Sequence, residues 1–366
     1  MSSKTLYRKW RPAQLDDVVG QRQVIATLKQ ASLSNVFSHA YMFSGERGSG
    51  KTTTARILSS LMTCENVKDA KVCGQCRACK TIHAGVCLDV HEIDAASNRG
   101  IDNVKAIIDA ASWSPQELNK KIYLIDEVHC LSKEAVSALL KILEEPPEYL
   151  NFIFCTTEAN KILPTILSRC QRFNFGKIAS KDISQRLLHI AKNENIKVDE
   201  NSTILMAKMA RGSMRDAIGY LDQIGTVAAG KNITAEHIHK YFGLADRLGI
   251  FNIVKAIIEG NISLLMDQVN DMIMASVDTK EIMYEISDVF RNAMVLRAQD
   301  GNVKLIDLPE NEINELKKIS ANLSVSQLLK LAHLFADVEK KMTFNINERW
   351  ITEATLINCA SSLKNK

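Results

Sequence analysis

The eight residues Gly45-Glu46-Arg47-Gly48-Ser49-Gly50-Lys51-Thr52 fit the pattern G-x-x-x-x-G-K-[ST] at every fixed position. This stretch constrains the fold more than any other, because its chemistry requires a strand before it and a helix after it. Both are present. His39-Ala40-Tyr41-Met42-Phe43 reads as a short buried strand, and Ala55, Leu58, Leu61 and Met62 recur at helical spacing behind the loop. The glycines let the backbone wrap a polyphosphate with its N–H groups pointing inward. The helix N-terminus adds partial positive charge at the same place. A nucleoside triphosphate is the expected ligand, held by Gly45, Gly48, Ser49, Gly50, Lys51, Thr52 and Thr53. Lys51 is placed to reach the β/γ-phosphates and the Thr52 hydroxyl to ligate Mg²⁺.

Beyond the loop, four apolar runs read as strands of a buried parallel sheet: residues 41–43, 88–93, 122–125 and 152–155. Helical patterns such as 104–111 and 133–144 separate them, and alternation of this kind predicts an α/β fold. A fifth run at 172–175 closes the sheet. From about residue 180 the pattern becomes wholly helical. Ile183, Leu187, Ile190 and Ala191 share one face, as do Ile204, Leu205, Ala207 and Met209. Gly243 and Leu244 interrupt it, and later stripes such as Ile282/Ile286/Val289/Phe290/Ala293 read as core or subunit interface. A chain of 366 residues exceeds one ordinary core, so two or three domains are expected. The divisions fall at residues 1–178, 179–243 and 244–366.

The run Ile122-Tyr123-Leu124-Ile125 ends in Asp126 and Glu127. Beside a phosphate loop, Asp126 is expected to hold Mg²⁺ and Glu127 to orient and polarise the attacking water. Thr157 ends the next strand, where it either senses the γ-phosphate or caps a turn. His129 follows the acidic pair and reads as structural. Of nine cysteines, Cys73, Cys76 and Cys79 form two overlapping C-x-x-C units, with Cys64 nine residues upstream. Four thiols at this density suit a tetrahedral structural Zn²⁺, with Cys87 as the substitute ligand if Cys64 is unused. Cys130, Cys155, Cys170 and Cys359 are isolated and read as ordinary buried thiols. The net charge of +4 permits a nucleic-acid partner without arguing for one. No apolar run approaches the ~20 residues of a membrane span, and residues 1–5 lead into no signal-peptide core, so a cytoplasmic location is expected.

Further markers are Tyr7-Arg8-Lys9-Trp10-Arg11-Pro12, Val19-Gly20-Gln21, Glu144-Glu145-Pro146-Pro147, Ser168-Arg169-Cys170 and Gly212-Ser213-Met214-Arg215-Asp216-Ala217. Together with the loop, the cysteines and Asp126-Glu127-Val128-His129, they closely resemble the bacterial DNA polymerase III gamma/tau family, from residue 4 to roughly 360. The resemblance implies an AAA+ ATPase, the ATP-hydrolysing component of the sliding-clamp loader, with a small helical lid and a helical collar for oligomerisation. It implies that Arg169 enters a neighbouring subunit's site as an arginine finger and that Arg215 contacts the γ-phosphate in cis. Arg8, Arg11, Pro12, Val18 and Val19 then shape the adenine and ribose end of the pocket, while Trp10 packs. Arg99 and Lys105 either contact DNA phosphates or are solvated surface charges.

The implied cofactors are ATP, Mg²⁺ and structural Zn²⁺. The implied partners are other loader subunits in a hetero-oligomer (a pentamer), the sliding clamp and primer-template DNA, with nucleoid association during replication and no membrane. The rival readings are another AAA+ DNA motor, such as a branch-migration helicase, and a non-catalytic scaffold subunit of the loader. The sequence ends at Lys364-Asn365-Lys366 without the tail of tau-type members, as expected of a short gamma-like form or a truncated chain.

Overall fold

The computed structural model describes residues 5–228, 230–299, 306, 308, 310–344 and 347–364. The readings placed on residues 1–4 and on Asn365 and Lys366 lie outside them. The chain divides into two compact units, Met1–Thr234 and Ala235–Lys366.

The first unit begins with α1 (Leu6–Lys9) and α2 (Arg22–Ser34). Then follow β1 (Ala40–Gly45), α3 (Lys51–Thr63), α4 (Arg77–Ala84), β2 (Val90–Asp94), α5 (Ile101–Ala111) and β3 (Lys121–Asp126). The sheet is completed through α6 (Lys133–Glu144), β4 (Leu150–Thr156), α7 (Pro164–Leu167) and β5 (Gln171–Phe175). All pairings are parallel, in the order β2-β3-β4-β1-β5. Side chains alternate across the sheet, and helices cover both faces, which is why the strands read as continuous apolar runs. Tyr41, Phe43, Ile122, Leu124, Ile153, Phe173 and Phe175 pack with Leu28 of α2 and Ala55, Leu58 and Leu61 of α3. Met42, Tyr123, Ile125, Phe152 and Phe154 pack on the other face with Val104 of α5 and Val136, Leu139 and Leu143 of α6. Each such fully buried side chain contributes ~1.5–3 kcal/mol.

The second predicted run starts later than expected: β2 begins at Val90, not residue 88. Leu88 is exposed, and the Asp89 carboxylate accepts N–H bonds from Gln116, Glu117 and Leu118 at 2.6–3.1 Å, so these two residues form a turn. Three helices finish the unit: α8 (Ser180–Asn193), α9 (Glu200–Met209) and α10 (Met214–Ala228). The expected α8 stripe is buried. The α9 stripe is different. Its buried face carries Ser202, Thr203, Met206 and Ala207, while Ile204 is exposed. Thr203 and Ser184 exchange a hydroxyl hydrogen bond of 2.8 Å where α9 meets α8. Paired hydroxyls let polar residues face inward, which apolar periodicity cannot foresee.

The second unit is helical: α11 (Ala235–Phe242), α12 (Arg247–Glu259), α13 (Ile262–Met274), α14 (Thr279–Ala298), α15 (Glu310–Asn322), α16 (Val325–Phe344) and α17 (Glu348–Lys364). It includes α11, so the division between units falls before the 243/244 position suggested by Gly243. Asp246, Asn261 and Asp278 cap the N-termini of α12, α13 and α14 through their side chains. Phe251, Val254, Ile257, Ile286, Val289, Phe290, Leu328, Leu331 and Leu356 form the core. Beside it, Arg247 pairs with Glu285, Asp288 and Glu312. Among the described residues no helix is long and apolar enough to cross a membrane.

Candidate nucleotide and metal sites

β1 lies between β4 and β5, so the loop leaving it opens at a switch in strand order, where open parallel sheets bind ligands. Gly45 ends β1 opposite Phe175 with φ 146°, and a Cβ there would overlap the Phe175 carbonyl oxygen. Gly48 has φ 76°, and a Cβ there would run into Ser213 Oγ and lie 2.9 Å from Ser213 Cβ. The Gly48 carbonyl accepts the Met214 N–H at 3.1 Å. The phosphate loop is therefore seated directly on the start of α10. Gln21 braces the loop from below. Its buried amide donates to the carbonyls of Ser49 (3.3 Å) and Gly176 (2.8 Å) and accepts the Gly176 N–H at 3.1 Å.

Lys51 opens α3 and is buried; its Nζ donates to the carbonyls of Gly45 (2.7 Å) and Glu46 (2.8 Å). Burial lowers its pKa, and neighbouring acidic groups oppose the shift. The Thr52 hydroxyl donates to the Asp126 carboxylate at 2.8 Å, so the two expected Mg²⁺ ligands converge. Glu127 follows with φ 49°, and its carboxylate accepts the N–H (3.2 Å) and hydroxyl (3.0 Å) of Thr157. Thr157 and the acidic pair thus lie together at neighbouring strand ends.

A cleft of ≈ 130 Å³ is lined by Arg11, Pro12, Val18, Val19, Gly48, Ser49, Gly50, Lys51, Thr52, Thr53 and Arg215 among others. Burial lowers the pKa of Arg11. Arg8 does not line the cleft; it is exposed, and its Nε donates to the Tyr7 hydroxyl at 3.3 Å. Tyr7 and Trp10 take its place. The Arg215 guanidinium lies 5.0 Å from the Tyr7 ring centroid. Trp10 lines the cleft while its indole N–H donates to Glu194 at 2.7 Å and its ring faces Arg186. Packing and lining are therefore both its roles. Tyr7 stood in the quoted Tyr-Arg-Lys-Trp string, but Arg186 carries no sequence signal beyond its place on α8.

Arg169 lies just beyond α7, apart from this cleft. Its guanidinium pairs with Glu144 at 2.6 Å and donates to the Thr165 carbonyl at 2.8 Å. Arg99 and Lys105 are both exposed at the start of α5, and Arg99 Nε donates to the Ala96 carbonyl.

The four cysteines converge as expected. The sulfurs of Cys64, Cys73, Cys76 and Cys79 all lie within 4.8 Å of one another. Cys73 and Cys79 are 3.9 Å apart and Cys76 and Cys64 4.0 Å. Sulfurs tetrahedrally placed ~2.3 Å from zinc stand ~3.8 Å apart, so the set fits Zn²⁺. Cys87 is buried outside the cluster and is not a substitute ligand. The N–H groups of Gln75 and Cys76 lower the Cys73 pKa to about 6, which favours its thiolate. Arg77 bonds Glu117 at 2.6 Å and ties the module to the core.

A five-stranded parallel sheet, a phosphate loop facing Asp126 and Glu127, and a helical segment bringing Arg215 to the nucleotide cleft define an AAA+ phosphate-loop ATPase. Solved structures agree on the fold: Thermotoga maritima RuvB, a Holliday junction branch migration motor, matches with TM-score 0.50 at 20% identity, over 70% of this chain and 80% of that one. Family models match most of the chain: DNA polymerase III, delta subunit, at residues 20–179; the DNA polymerase III clamp loader subunit ATPase lid domain at 182–232; and DNA polymerase III subunits gamma and tau domain III at 233–365. The DNA polymerase III subunit tau of Bacillus subtilis is 36% identical over 99% of this chain, which spans 64% of that relative. The subunit gamma of Buchnera aphidicola is 31% identical, with 100% of both chains covered. For the tau/gamma subunit of Haemophilus influenzae the identity is 39%, over 79% of this chain and 42% of the relative. The chain belongs to the DNA polymerase III gamma/tau family.

Proposed function

We propose that this chain is the ATP-hydrolysing motor subunit of a replicative clamp loader, which places a ring-shaped sliding clamp on primer-template DNA. The observation that carries the reading is the joined pair of half-sites, Thr52 with Asp126 and Glu127 with Thr157, in a chain of this family. A scaffold subunit has no need of that set, and the RuvB likeness concerns the fold alone. When bound, Mg²⁺ neutralises phosphate charge. Lys51 and the loop N–H groups hold the β/γ-phosphates, Glu127 orients the lytic water, and Arg215 ties the γ-phosphate to the lid. The lid follows an ATPase domain at 1–178, and the collar is the helical unit that begins at Ala235.

Arg169 acts in a neighbouring subunit, exchanging Glu144 for the transferring phosphoryl group; such a finger is worth ~10³–10⁵ in rate. Its partly exposed position apart from its own cleft supports action in trans. Arg99 and Lys105 contact template phosphates beside the α5 N-terminus. The cysteine module binds one structural Zn²⁺ and stiffens its loop. The assembly is a hetero-pentamer, cytoplasmic and nucleoid-associated during replication.

The test is ATP hydrolysis by the reconstituted loader with and without clamp and primed DNA. Stimulation by both is expected; hydrolysis indifferent to either removes the proposal. In mixtures of Arg169→Ala with wild-type subunits, hydrolysis should fail at the site that the variant faces, with its own nucleotide binding intact.

A further inference from the structure

Beyond the phosphate loop and the acidic pair, one side chain bridges the strand ends around Glu127. A short turn (Val128–Cys130) follows Glu127, closed by the Cys130 N–H on the Glu127 carbonyl at 2.8 Å. It folds His129 back over the end of β4. The imidazole is largely buried, with 11% of its side chain exposed. Its Nδ1 lies 3.0 Å from Thr156 Oγ1 and 3.4 Å from Glu127 Oε2. Its Nε2 lies 3.3 Å from Glu158 Oε1, and Glu158 is anchored by Lys161 at 2.7 Å. Thr156 Oγ1 also accepts the Glu158 N–H at 3.0 Å. The sequence gives no hint of this, since a lone histidine after an acidic pair reads as structural.

The same Glu127 oxygen that faces His129 accepts both bonds from Thr157. The carboxylate is thus bonded from one strand end by Thr157 and approached from beneath by an imidazole that is hydrogen-bonded to Thr156 and lies beside Glu158. Glu127 itself sits at a positive φ, so its backbone gives little freedom to re-aim the side chain. A water-orienting carboxylate must be held to within a fraction of an ångström, and misplacement by ~1 Å costs about 100-fold in rate. We propose that His129 is a positioning residue for Glu127, setting through its Nδ1 side the direction from which that carboxylate addresses the lytic water. This rests on Glu127 acting as described above. The Nε2 side, through Glu158 and Lys161, only steadies the ring.

The two ring nitrogens can be tested separately, because asparagine reproduces the Nδ1 position and glutamine the Nε2 position. Steady-state ATP hydrolysis is measured in the assembled loader, together with the KM for ATP. His129→Ala is expected to lower kcat about 10- to 100-fold with KM within about threefold of wild type. His129→Asn should recover most of kcat, and His129→Gln should remain close to the alanine variant. Melting temperatures of the four proteins confirm folding. An alanine variant with wild-type kcat, an asparagine variant no faster than glutamine, or a loss confined to KM overturns the inference while an active wild type leaves the proposed function standing. A wild-type loader without ATPase activity refutes both.

Discussion

Substituting Gly48 by alanine separates loop geometry from charge, because no ionisable or ligand-binding side chain is touched. At φ 76° a β-carbon costs ~1–2 kcal/mol in the left-handed region. The added carbon also runs into Ser213 Oγ, so the start of α10 must retreat and the 3.1 Å bond from Met214 N–H to the Gly48 carbonyl is lost, at ~1 kcal/mol. The sum is about 2–3 kcal/mol, which corresponds to about 30- to 150-fold weaker nucleotide binding if the loop must hold this shape around phosphate. Ser213→Gly removes the obstructing atoms and costs only a few tenths of a kcal/mol as a helix cap. Combined with Gly48→Ala it should restore the bond but not the φ penalty, recovering about fivefold. Titration of a fluorescent ATP analogue into the four proteins reads the whole cycle. A Gly48→Ala variant binding within about threefold of wild type, or a double variant no tighter than the single, refutes the seating of the loop on α10.

Two further outcomes are expected. Burial pushes the Asp89 carboxyl up, but the N–H groups of Gln116, Glu117 and Leu118 prevail and hold it below its ordinary value. Its contribution is therefore full above the unfolded pKa of ~4 and lost as pH falls through the folded value. Asp89→Asn should cost about 2 kcal/mol at neutral pH and flatten the acid limb of thermal stability between pH 3 and 5; an unchanged limb contradicts the assignment. Cys76→Ser/Cys79→Ser should lose bound zinc in metal analysis of the purified chain, and retention of one zinc per chain would rule out the four-sulfur site.

Where chemistry and spacing were tied to local backbone, the sequence was a good guide. The phosphate loop, the strand ending in Asp126-Glu127 and the three cysteines of the double C-x-x-C lie within single turns or strand ends, so their geometry follows from short-range rules. The α8 stripe was legible for the same reason, being apolar at period 3.6. What escaped notice was long-range. The bonding of Gln21 to Ser49 and Gly176 joins residues far apart in the chain, and Arg186 reaches the cleft only because α8 lies against α1 and α10. On α9, hydroxyls satisfied across the α8 contact shifted the buried face, keeping Ala207 but leaving Ile204 exposed. Arg8 was misplaced because an exposed and a cleft-facing arginine look alike in the string Arg8-Lys9-Trp10-Arg11.

Helix α3 begins at Lys51 in the phosphate loop and ends at Thr63, with Cys64, the first sulfur of the cysteine cluster, as its C-cap. One rod about 20 Å long thus joins the phosphate loop at its head to the four-sulfur cluster at its foot. Should a ligand at one end order the helix, the other end would feel it without any contact between the two ligands. Any coupling along the helix would be reciprocal: loss of metal would weaken nucleotide binding by the factor by which nucleotide tightens metal binding.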